Sequence, residues 1–559
     1  AADAKAQAAR VSRLSRVAAA AGYPVSMPWR AHGAGIEHMR VPTPLKSAQV
    51  ARIVQHMLAT GEVEWVEPNV REARLQAAPV PNPALALPND PYVGTAQQWA
   101  VFNVDTASDP RRTGLPNLDS AWRVHRGATS GQTVIAVLDT GYLRHPDLAT
   151  NLIEPGYSFV SDASFDRAIP PGRQPNAHDP GDWLTQAEKD ANPTLYQGCD
   201  VQPSSWHGTM VAGILGAVTN NALGIAGVHQ NARVLPVRVA GVCGAELIDI
   251  LDGLRWAAGL PVTVNNVAVT NATPAKVLNL SFGADTPCGS AYQTVIDEIR
   301  QTKGALLIAS AGNAQGGVSR PGNCNGVLAV AALNRTGLKA NYSNFGPGVA
   351  VSTVGGDPGP EGAWGGLLGD GGLLTLYNTG TTIPLNESTE NSTAGSWYAY
   401  VGGTSFSAPM AAGVAALMWE LNPALTPDQI INGIKLSARP HVTSSYAGTC
   451  SSQNPGRCLC TTSTCGAGIL DAARALKYAQ NPAGPLPTVT ADNIDSLALT
   501  TAVQLGPDAP PRPVTTSSTA TRTSGGGGGG AMDDVALCGL LGALVWTWAR
   551  RSRGGVVQR

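Results

Sequence analysis

The stretch TVIAVLDTG, residues 133–141, is an apolar run in which polar and apolar residues do not alternate. Such a run predicts a strand that is buried on both faces, as in a parallel sheet covered by helices. Helical stretches at 207–218, 245–260 and 290–304 separate the runs of this kind. The predicted fold class is therefore α/β, with a parallel sheet flanked by helices. The other four runs are ARVLPVRVA (232–240), KVLNLSFG (276–283), ALLIASAGN (305–313) and GVLAVAAL (326–333).

The composition limits the classes of protein and partner that are possible. The chain has 559 residues, of which 43% are hydrophobic, which is enough for more than one folding unit. Only 14% are charged, with 38 basic and 39 acidic residues and a net charge of −1. This balance argues against nucleic acid or another polyanion as the partner.

Eight of the nine cysteines lie between Cys199 and Cys465. They lack the paired spacing of a zinc site, and the CLC at 458–460 is too close for a zinc pair, so we predict disulfides and an oxidising compartment. From their order and loop positions, the predicted pairs include Cys199 with Cys243 and Cys288 with Cys324.

Changes in composition divide the chain into regions. Residues 1–78 contain a predicted helix followed by a strand, at 45–70, and form a small α+β unit. The proline-rich residues 79–91 predict an exposed linker, and the strand–helix alternation occupies 92–480. Within it, Thr426 and Gln429 form the start signal of a helix. Residues 481–530 are rich in Pro, Thr, Ser and Gly, and 531–559 hold an apolar run followed by arginines.

Four polar residues lie at strand carboxyl ends and helix amino ends, where the functional residues of parallel α/β sheets are usually found. Asp139 and Asn313 close predicted strands, His207 opens the helix of SWHGTMVAG (205–213), and Ser405 opens that of VGGTSFSAPMAAGVAALMW (401–419). Taken singly, each has a structural alternative as a turn residue, a buried histidine or a helix cap. Together they supply a nucleophile, a base, an orienting acid and an oxyanion donor.

Four blocks in order, AVLDTG (136–141), HGTMVAG (207–213), ASAGN (309–313) and GTSFSAP (403–409), resemble the signatures of the subtilisin-like serine proteases, the subtilases. The resemblance covers about residues 92–480 and implies a subtilisin-like fold and a secreted serine endopeptidase of broad specificity. It implies that Asp139 orients His207, that His207 takes the proton of Ser405, and that Asn313 and the Ser405 N–H bind the oxyanion. Met210 and Phe406 depart from the residues that many relatives carry there.

The same resemblance implies two binding sites. Ser281, Phe282, Gly283, Ser310, Ala311 and Gly312 would line the groove in which a substrate pairs as an added strand. A structural Ca²⁺ would be held by the side chains of Asp147 and Asn221 and the carbonyls of Leu223 and Ile225. The alternative for Asp147 and Asn221 is an ordinary turn.

Two inserts precede catalytic residues of this scheme. The first insert is residues 166–193, within a gap of 68 residues between Asp139 and His207, and the second insert is residues 355–398. Each either rims the cleft and sets substrate access or is a neutral surface loop.

The amino-terminal unit ends in GEVEWVEPNV (61–70), which resembles the close of the inhibitory propeptides that precede subtilase domains. The resemblance implies a precursor that cuts its own linker and is inhibited by its own propeptide. A separate binding module is the alternative. The first residues, AADAKA, are consistent with a chain from which a signal peptide has been removed.

The carboxyl-terminal stretch 524–553 resembles the GlyGly-CTERM sorting tails of Gram-negative bacteria, which implies removal by a membrane protease during export. Its apolar part, Val535 to Ala549, is about 22 Å long as a helix, shorter than the ~30 Å core of a bilayer. A simple membrane anchor is the alternative, and Cys538 is a candidate for lipid attachment.

Two other function classes use the same residues. A non-peptidase hydrolase with this triad would lack a peptide groove and a peptide-like inhibitor, and both are predicted here. An inactive protease fold serving as an adhesin would have lost a catalytic block, and all four are present.

Overall fold

A computed structural model describes residues 112–385 and 396–508 continuously. Shorter segments before residue 112 are also described: 29–31, 37–39, 47–59, 61, 65–66, 71–74, 80–81, 92–93, 95, 97–102 and 104. Within these residues the α-helices are Ser47–Ala59, Leu118–Val124, Gln186–Ala191, His207–Gly216, Leu247–Ala257, Ser290–Lys303, Gly365–Leu368, Thr404–Leu421, Pro427–Ser437, Ala472–Gln480 and Leu497–Gln504.

A seven-stranded sheet forms the centre, and all its described pairings are parallel. All five predicted strands are present, and the α/β class is confirmed. Tyr157–Ser158 was not predicted because it has only two residues, and Val351–Val354 was not predicted because Ser352 and Thr353 interrupt its apolar run. In spatial order the strands are Val351–Val354, Leu328–Leu333, Leu306–Ser310, Val277–Leu280, Val134–Asp139, Arg233–Arg238 and Tyr157–Ser158.

Helices cover both faces of this sheet. The His207 helix (His207–Gly216) and the Ser405 helix (Thr404–Leu421) pack with one core, and Leu247–Ala257 and Ser290–Lys303 pack with another. The Ser405 helix is buried from Thr404 to Trp419, because it is apolar nearly all round.

The predicted helices are present with adjusted ends. The stretch predicted as helical at 245–260 begins as a strand, Gly244–Glu246, and its helix starts only at Leu247. The prediction failed there because three residues form a strand only through pairing, on one side with the neighbouring Ala240–Gly241 and on the other with the distant Arg71–Glu72. The capping box of Thr426 and Gln429 is formed as predicted.

Within the described residues, four small sheets lie outside the centre, and one of them joins Phe282–Gly283, Arg71–Arg74, Gly244–Glu246 and Ala240–Gly241. The other three are as follows. One pairs Trp29–Ala31 with Glu37–Met39, and another pairs Val262–Val264 with Val267–Val269. The third joins Leu373–Asn378, Ser396–Val401 and Val80–Pro81. Val80–Pro81 belongs to the segment predicted as an exposed linker, and it is paired at this point.

Four disulfides are formed, and both predicted pairs are among them: Cys199–Cys243 and Cys288–Cys324. The others are Cys450–Cys458 and Cys460–Cys465. The sulfur atoms of Cys450, Cys460 and Cys465 lie within 4.8 Å of one another. All three are in disulfides, so no thiolate is available there for a metal.

The folded part extends past residue 480, where a linker was predicted to begin. Leu497–Gln504 is a helix, and the buried Asp508 accepts hydrogen bonds from the N–H groups of Arg457 and Trp364. In the part of the chain that is described, no helix is long and apolar enough to span a membrane. The tail 531–559 and most of the strand predicted at 61–70 lie outside the described residues.

Candidate active site

Asp139 and His207 form a buried pair at the carboxyl edge of the central sheet. Asp139 is the last residue of its strand and His207 the first of its helix. Nδ1 of His207 lies 2.7 Å from Oδ1 of Asp139, which also accepts the N–H of Thr140 at 2.8 Å. Both side chains are 0% exposed. Since Nδ1 faces a carboxylate, the neutral imidazole carries its proton there and presents Nε2 as an acceptor.

Ser405 lies in the first turn of its helix, next to the segment that follows the strand Val277–Leu280. Its Oγ donates to the carbonyl of Ser281 at 3.4 Å, and the Ser281 hydroxyl donates to the carbonyl of Ser405 at 3.0 Å. The His207 ring packs against Phe282 and Phe406, with centroid distances of 5.6 and 5.9 Å. These contacts place the imidazole beside the Ser405 segment.

Nε2 of His207 is buried and has no hydrogen-bond partner within the described residues. A nucleophile and its base are often further apart in a free enzyme than in the complex with substrate. An acceptor nitrogen next to a serine segment is the arrangement that a general base requires.

Asn313 has its two amide atoms in different roles. Its Oδ1 accepts the N–H and the hydroxyl of Thr404 at 3.0 and 2.8 Å. The Thr404 hydroxyl in turn accepts the N–H of Gly312 at 3.1 Å. Nδ2 is buried and has no partner in the described part of the chain. Thr404 thus fixes the orientation of the Asn313 amide and leaves its NH₂ group available to donate. This role of Thr404 was not predicted, although Thr404 adjoins Ser405.

The predicted groove wall Phe282–Gly283 is paired with a segment of the amino-terminal unit. Arg71–Arg74 runs antiparallel to it, with Arg74 opposite Phe282 and Ala73 opposite Gly283. On its other side, Arg71 and Glu72 pair with Glu246 and Ala245. Gly244–Glu246 therefore flanks the same segment on its other side, and this was not predicted because residues 245–260 follow a helical pattern.

The other predicted wall, Ser310–Gly312, lies beside Asn313. The Ala311 N–H donates to Val330 and the Ala311 carbonyl accepts from Ser319. Gly312 has φ +112°, and a Cβ there would lie 2.2 Å from Nδ2 of Asn344, so only glycine fits. No described residue of the amino-terminal unit pairs with this wall.

The four predicted calcium ligands come together, but their atoms are arranged as hydrogen-bond partners. The Asp147 carboxylate accepts from Nδ2 of Asn221 at 2.8 Å, the Ile225 N–H at 2.9 Å and the Tyr398 hydroxyl at 3.1 Å. Leu223 donates its N–H to Oδ1 of Asn221. These contacts involve the two side chains and N–H groups, whereas the predicted Ca²⁺ site would also use the carbonyls of Leu223 and Ile225, so the site stays a prediction.

The model of the subtilase family matches residues 130–463. The chain belongs to the subtilase family. Two curated relatives are an extracellular protease of Xanthomonas campestris pv. campestris and an extracellular basic protease of Dichelobacter nodosus. The first is 37% identical over 451 residues, which is 80% of this chain and 65% of the relative. The second is 35% identical over 405 residues, or 71% and 58%. This subtilase thus spans less than two thirds of the length of either relative.

Solved structures agree with this assignment. A protease structure from Pseudoalteromonas arctica shares 38% identity with this subtilase, with a TM-score of 0.56, covering 70% of this chain and all of that one. Fervidolysin from Fervidobacterium pennivorans, a keratinolytic enzyme related to subtilisin, has 19% identity and a TM-score of 0.51. The match covers 86% of this chain and 60% of the fervidolysin chain. At 19% identity it shows the fold alone.

Proposed function

We propose that this subtilase is a secreted serine endopeptidase of broad specificity that is made as a precursor and cuts itself. The observation that carries the proposal is the buried Asp139–His207 pair, whose partnerless Nε2 lies beside the segment of Ser405. Membership of the family and the protease relatives support the same activity.

In this mechanism Ser405 attacks the carbonyl carbon of the scissile peptide bond. Nε2 of His207 takes the hydroxyl proton and later donates it to the leaving amine. Asp139 keeps the proton of the neutral ring on Nδ1 and stabilises the imidazolium that forms. Nδ2 of Asn313 and the Ser405 N–H stabilise the oxyanion, because their positions are fixed before the reaction begins.

The proposed substrate-binding mode is strand addition between Phe282–Gly283 and Gly244–Glu246. The pairing of Arg71–Arg74 with both strands supports it, since this segment already completes the sheet there. Backbone pairing does not depend on side-chain identity, which favours broad specificity towards proteins and peptides. In the precursor, the amino-terminal unit would therefore act as an inhibitor of its own domain.

Export is part of the proposal. The relatives' names describe extracellular proteins, and disulfides persist in oxidising compartments. The sorting tail, its removal by a membrane protease and a lipid on Cys538 stay predictions, because 531–559 lies outside the described residues. Calcium binding is common among subtilases. For this chain, Ca²⁺ held by Asp147, Asn221 and the carbonyls of Leu223 and Ile225 stays a prediction.

The test is replacement of Ser405 by alanine. We expect Ser405→Ala to lose casein hydrolysis, by about 10⁶-fold as in subtilisin, and to lose labelling by a fluorophosphonate. Ser407→Ala is the matched control, because Ser407 is buried in the same helix and its hydroxyl donates to the carbonyl of Thr353. We expect this control to keep both properties.

Three outcomes would contradict the proposal. Full casein hydrolysis by Ser405→Ala would remove Ser405 from the chemistry. A wild-type protein that cleaves an ester but no peptide would be a non-peptidase hydrolase. A protein that neither cleaves nor takes the label would be an inactive binding protein.

A further inference from the structure

Both inserts make contact with the three residues that precede His207. The contacts of the second insert are made by its backbone carbonyls. The Ser204 N–H donates to Thr381 at 2.8 Å, and its hydroxyl donates to Thr382. The indole N–H of Trp206 donates to Gly380 at 2.8 Å. Hence the second insert holds the chain immediately before the His207 helix.

The first insert reaches the same segment through Asp182. This carboxylate is 2% exposed and accepts the N–H of Ser205 at 2.7 Å and its hydroxyl at 2.8 Å. Oγ of Ser205 accepts the backbone N–H of His207 at 3.3 Å. A chain of hydrogen bonds therefore runs from Asp182 through Ser205 to the main chain of His207.

A second chain runs from Asp179, which is 1% exposed. Asp179 accepts the hydroxyl of Thr140 at 2.6 Å, and Oγ1 of Thr140 accepts the N–H of Gly208 at 3.0 Å. Burial and the neighbouring Asp182 raise the pKa of Asp179 to about 7. Thr140 follows Asp139 in the chain, and Gly208 follows His207. The hydrogen bond between Thr140 and Gly208 therefore connects the neighbours of the two residues of the buried pair.

The start of the His207 helix depends on these contacts. Trp206 has φ 53° and ψ 29°, a left-handed backbone that is costly for a bulky residue, and it is 0% exposed. The helix has no side-chain cap from Trp206. The hydroxyls of Ser205 and Thr140 satisfy its first N–H groups instead.

The two inserts also touch each other at this place. Gly181 has φ +103°, and a Cβ there would lie 2.3 Å from the Thr382 carbonyl and 2.5 Å from Oγ of Ser204. Such an approach excludes any larger residue at position 181. Neutral surface loops would not need to pack so closely around one short segment.

We propose that the inserts position the general base. Asp182 through Ser205, Asp179 through Thr140, and the backbone of 380–382 fix residues 204–208 so that His207 stays aligned with Asp139. This inference rests on the proposed function, because it gives these residues a role in the same reaction. An imidazole held in one orientation saves the cost of aligning it in each turnover.

Ser205 offers the sharpest test, because threonine keeps its hydroxyl. In mature enzyme, we expect Ser205→Ala to lower kcat by about 10-fold or more with KM within twofold, since substrate binds elsewhere. Ser205→Thr should restore kcat to within about twofold of wild type. Asp182→Asn and Asp179→Asn should lower kcat in the same way. The matched control is Asp190→Asn, an exposed carboxylate of the same insert that accepts from Gln186, which should not change kcat.

The results distinguish a failure of the positioning role from a failure of the proposed function on which it rests. Wild-type kcat in Ser205→Ala and Asp182→Asn, with Ser405→Ala inactive, would overturn the positioning role and leave the proposed function intact. A rise in KM without a fall in kcat in Ser205→Ala would also overturn the positioning role. So would an equal fall in kcat in Asp190→Asn. An active Ser405→Ala would overturn the proposed function instead. If the aspartate variants fail to fold, the Ser205 pair still decides, with Tm as the check on folding.

Discussion

Asn313 shows how one side chain is divided between structure and chemistry. Its oxygen is committed to Thr404, and its buried nitrogen has no partner among the described residues. A buried amide donor without a partner costs free energy in the resting protein. In the proposed mechanism the oxyanion of the tetrahedral intermediate becomes the partner of this donor, so the interaction forms only as the reaction proceeds.

We therefore expect Asn313→Ala to lower kcat by about 10²–10³-fold, as in subtilisin, with KM nearly unchanged. Steady-state kinetics on a peptide substrate measures both constants. Thr404→Val removes the hydroxyl that orients the amide, and it should give a smaller fall in kcat. An unchanged kcat in Asn313→Ala would exclude the residue from the mechanism.

At the scale of single residues, the sequence predicts those side chains whose chemical type indicates their role in the reaction. Asp139, His207, Asn313 and Ser405 stand in blocks that carry the signature. Ser205 and Thr404 were not predicted, because serine and threonine beside a helix start have an ordinary role as caps. Their contacts become visible only in three dimensions, as in the bond from Thr404 to Asn313, 91 residues away in sequence.

At the scale of the element, the Ser405 helix is anchored at both ends. Near its far end, the Glu420 carboxylate accepts from the N–H groups of Ala128 and Thr133 and contacts Nε2 of His125 and of His229. Burial alone would raise the pKa of Glu420. The bond and charge of His229 and the two N–H groups outweigh burial and lower the pKa to about 2.

This shift predicts the pH range in which Glu420 stabilises the fold. The folded pKa is below the ordinary value of 4.5, so the stabilisation is present above pH 4.5 and is lost as the pH falls towards 2. In a Ser405→Ala background, which prevents self-digestion, we expect Glu420→Gln to cost about 1.5–3 kcal/mol at pH 6. Denaturant unfolding should show this difference shrinking by pH 3. A difference that does not vary with pH would contradict the assignment, and Asp190→Asn should show none.

The elements that the sequence predicts well are those whose own residues determine them. The five long strands of the central sheet are continuous apolar runs, and the helix at Pro427 carries its capping box. Residues 245–246 were predicted as helix, because they are in a strand only through backbone pairing with Ala240–Gly241 and with the distant Arg71–Glu72.

At the scale of the whole molecule, the direction of Arg71–Arg74 predicts where the precursor is cut. Arg74 lies opposite Phe282, so the antiparallel strand proceeds towards Ser281, which is bonded to Ser405. We therefore expect the first scissile bond between Arg74 and Val80, where Val80–Pro81 pairs with the strand Ser396–Val401.

We expect the mature protein to begin between residues 75 and 80, at the start of or before the linker at 79–91. Amino-terminal sequencing and intact mass of the wild-type enzyme measure this. Ser405→Ala should keep its full precursor length when purified alone. A mature amino terminus beyond residue 82, or cleavage of the alanine variant, would show that Arg71–Arg74 does not present the first scissile bond.

The Cys199–Cys243 disulfide has a consequence for the cell that makes this protein. Cys199 closely follows the first insert, which holds the His207 segment, and Cys243 directly precedes the strand Gly244–Glu246. One covalent bond thus tethers the insert that we propose positions the base to the proposed substrate-binding strand. A chain kept reduced by cytosolic thiols lacks that tether, so its proteolytic power should mature only after export. The producing cell would then be protected by its own redox chemistry, in addition to the inhibition that we propose for the amino-terminal unit.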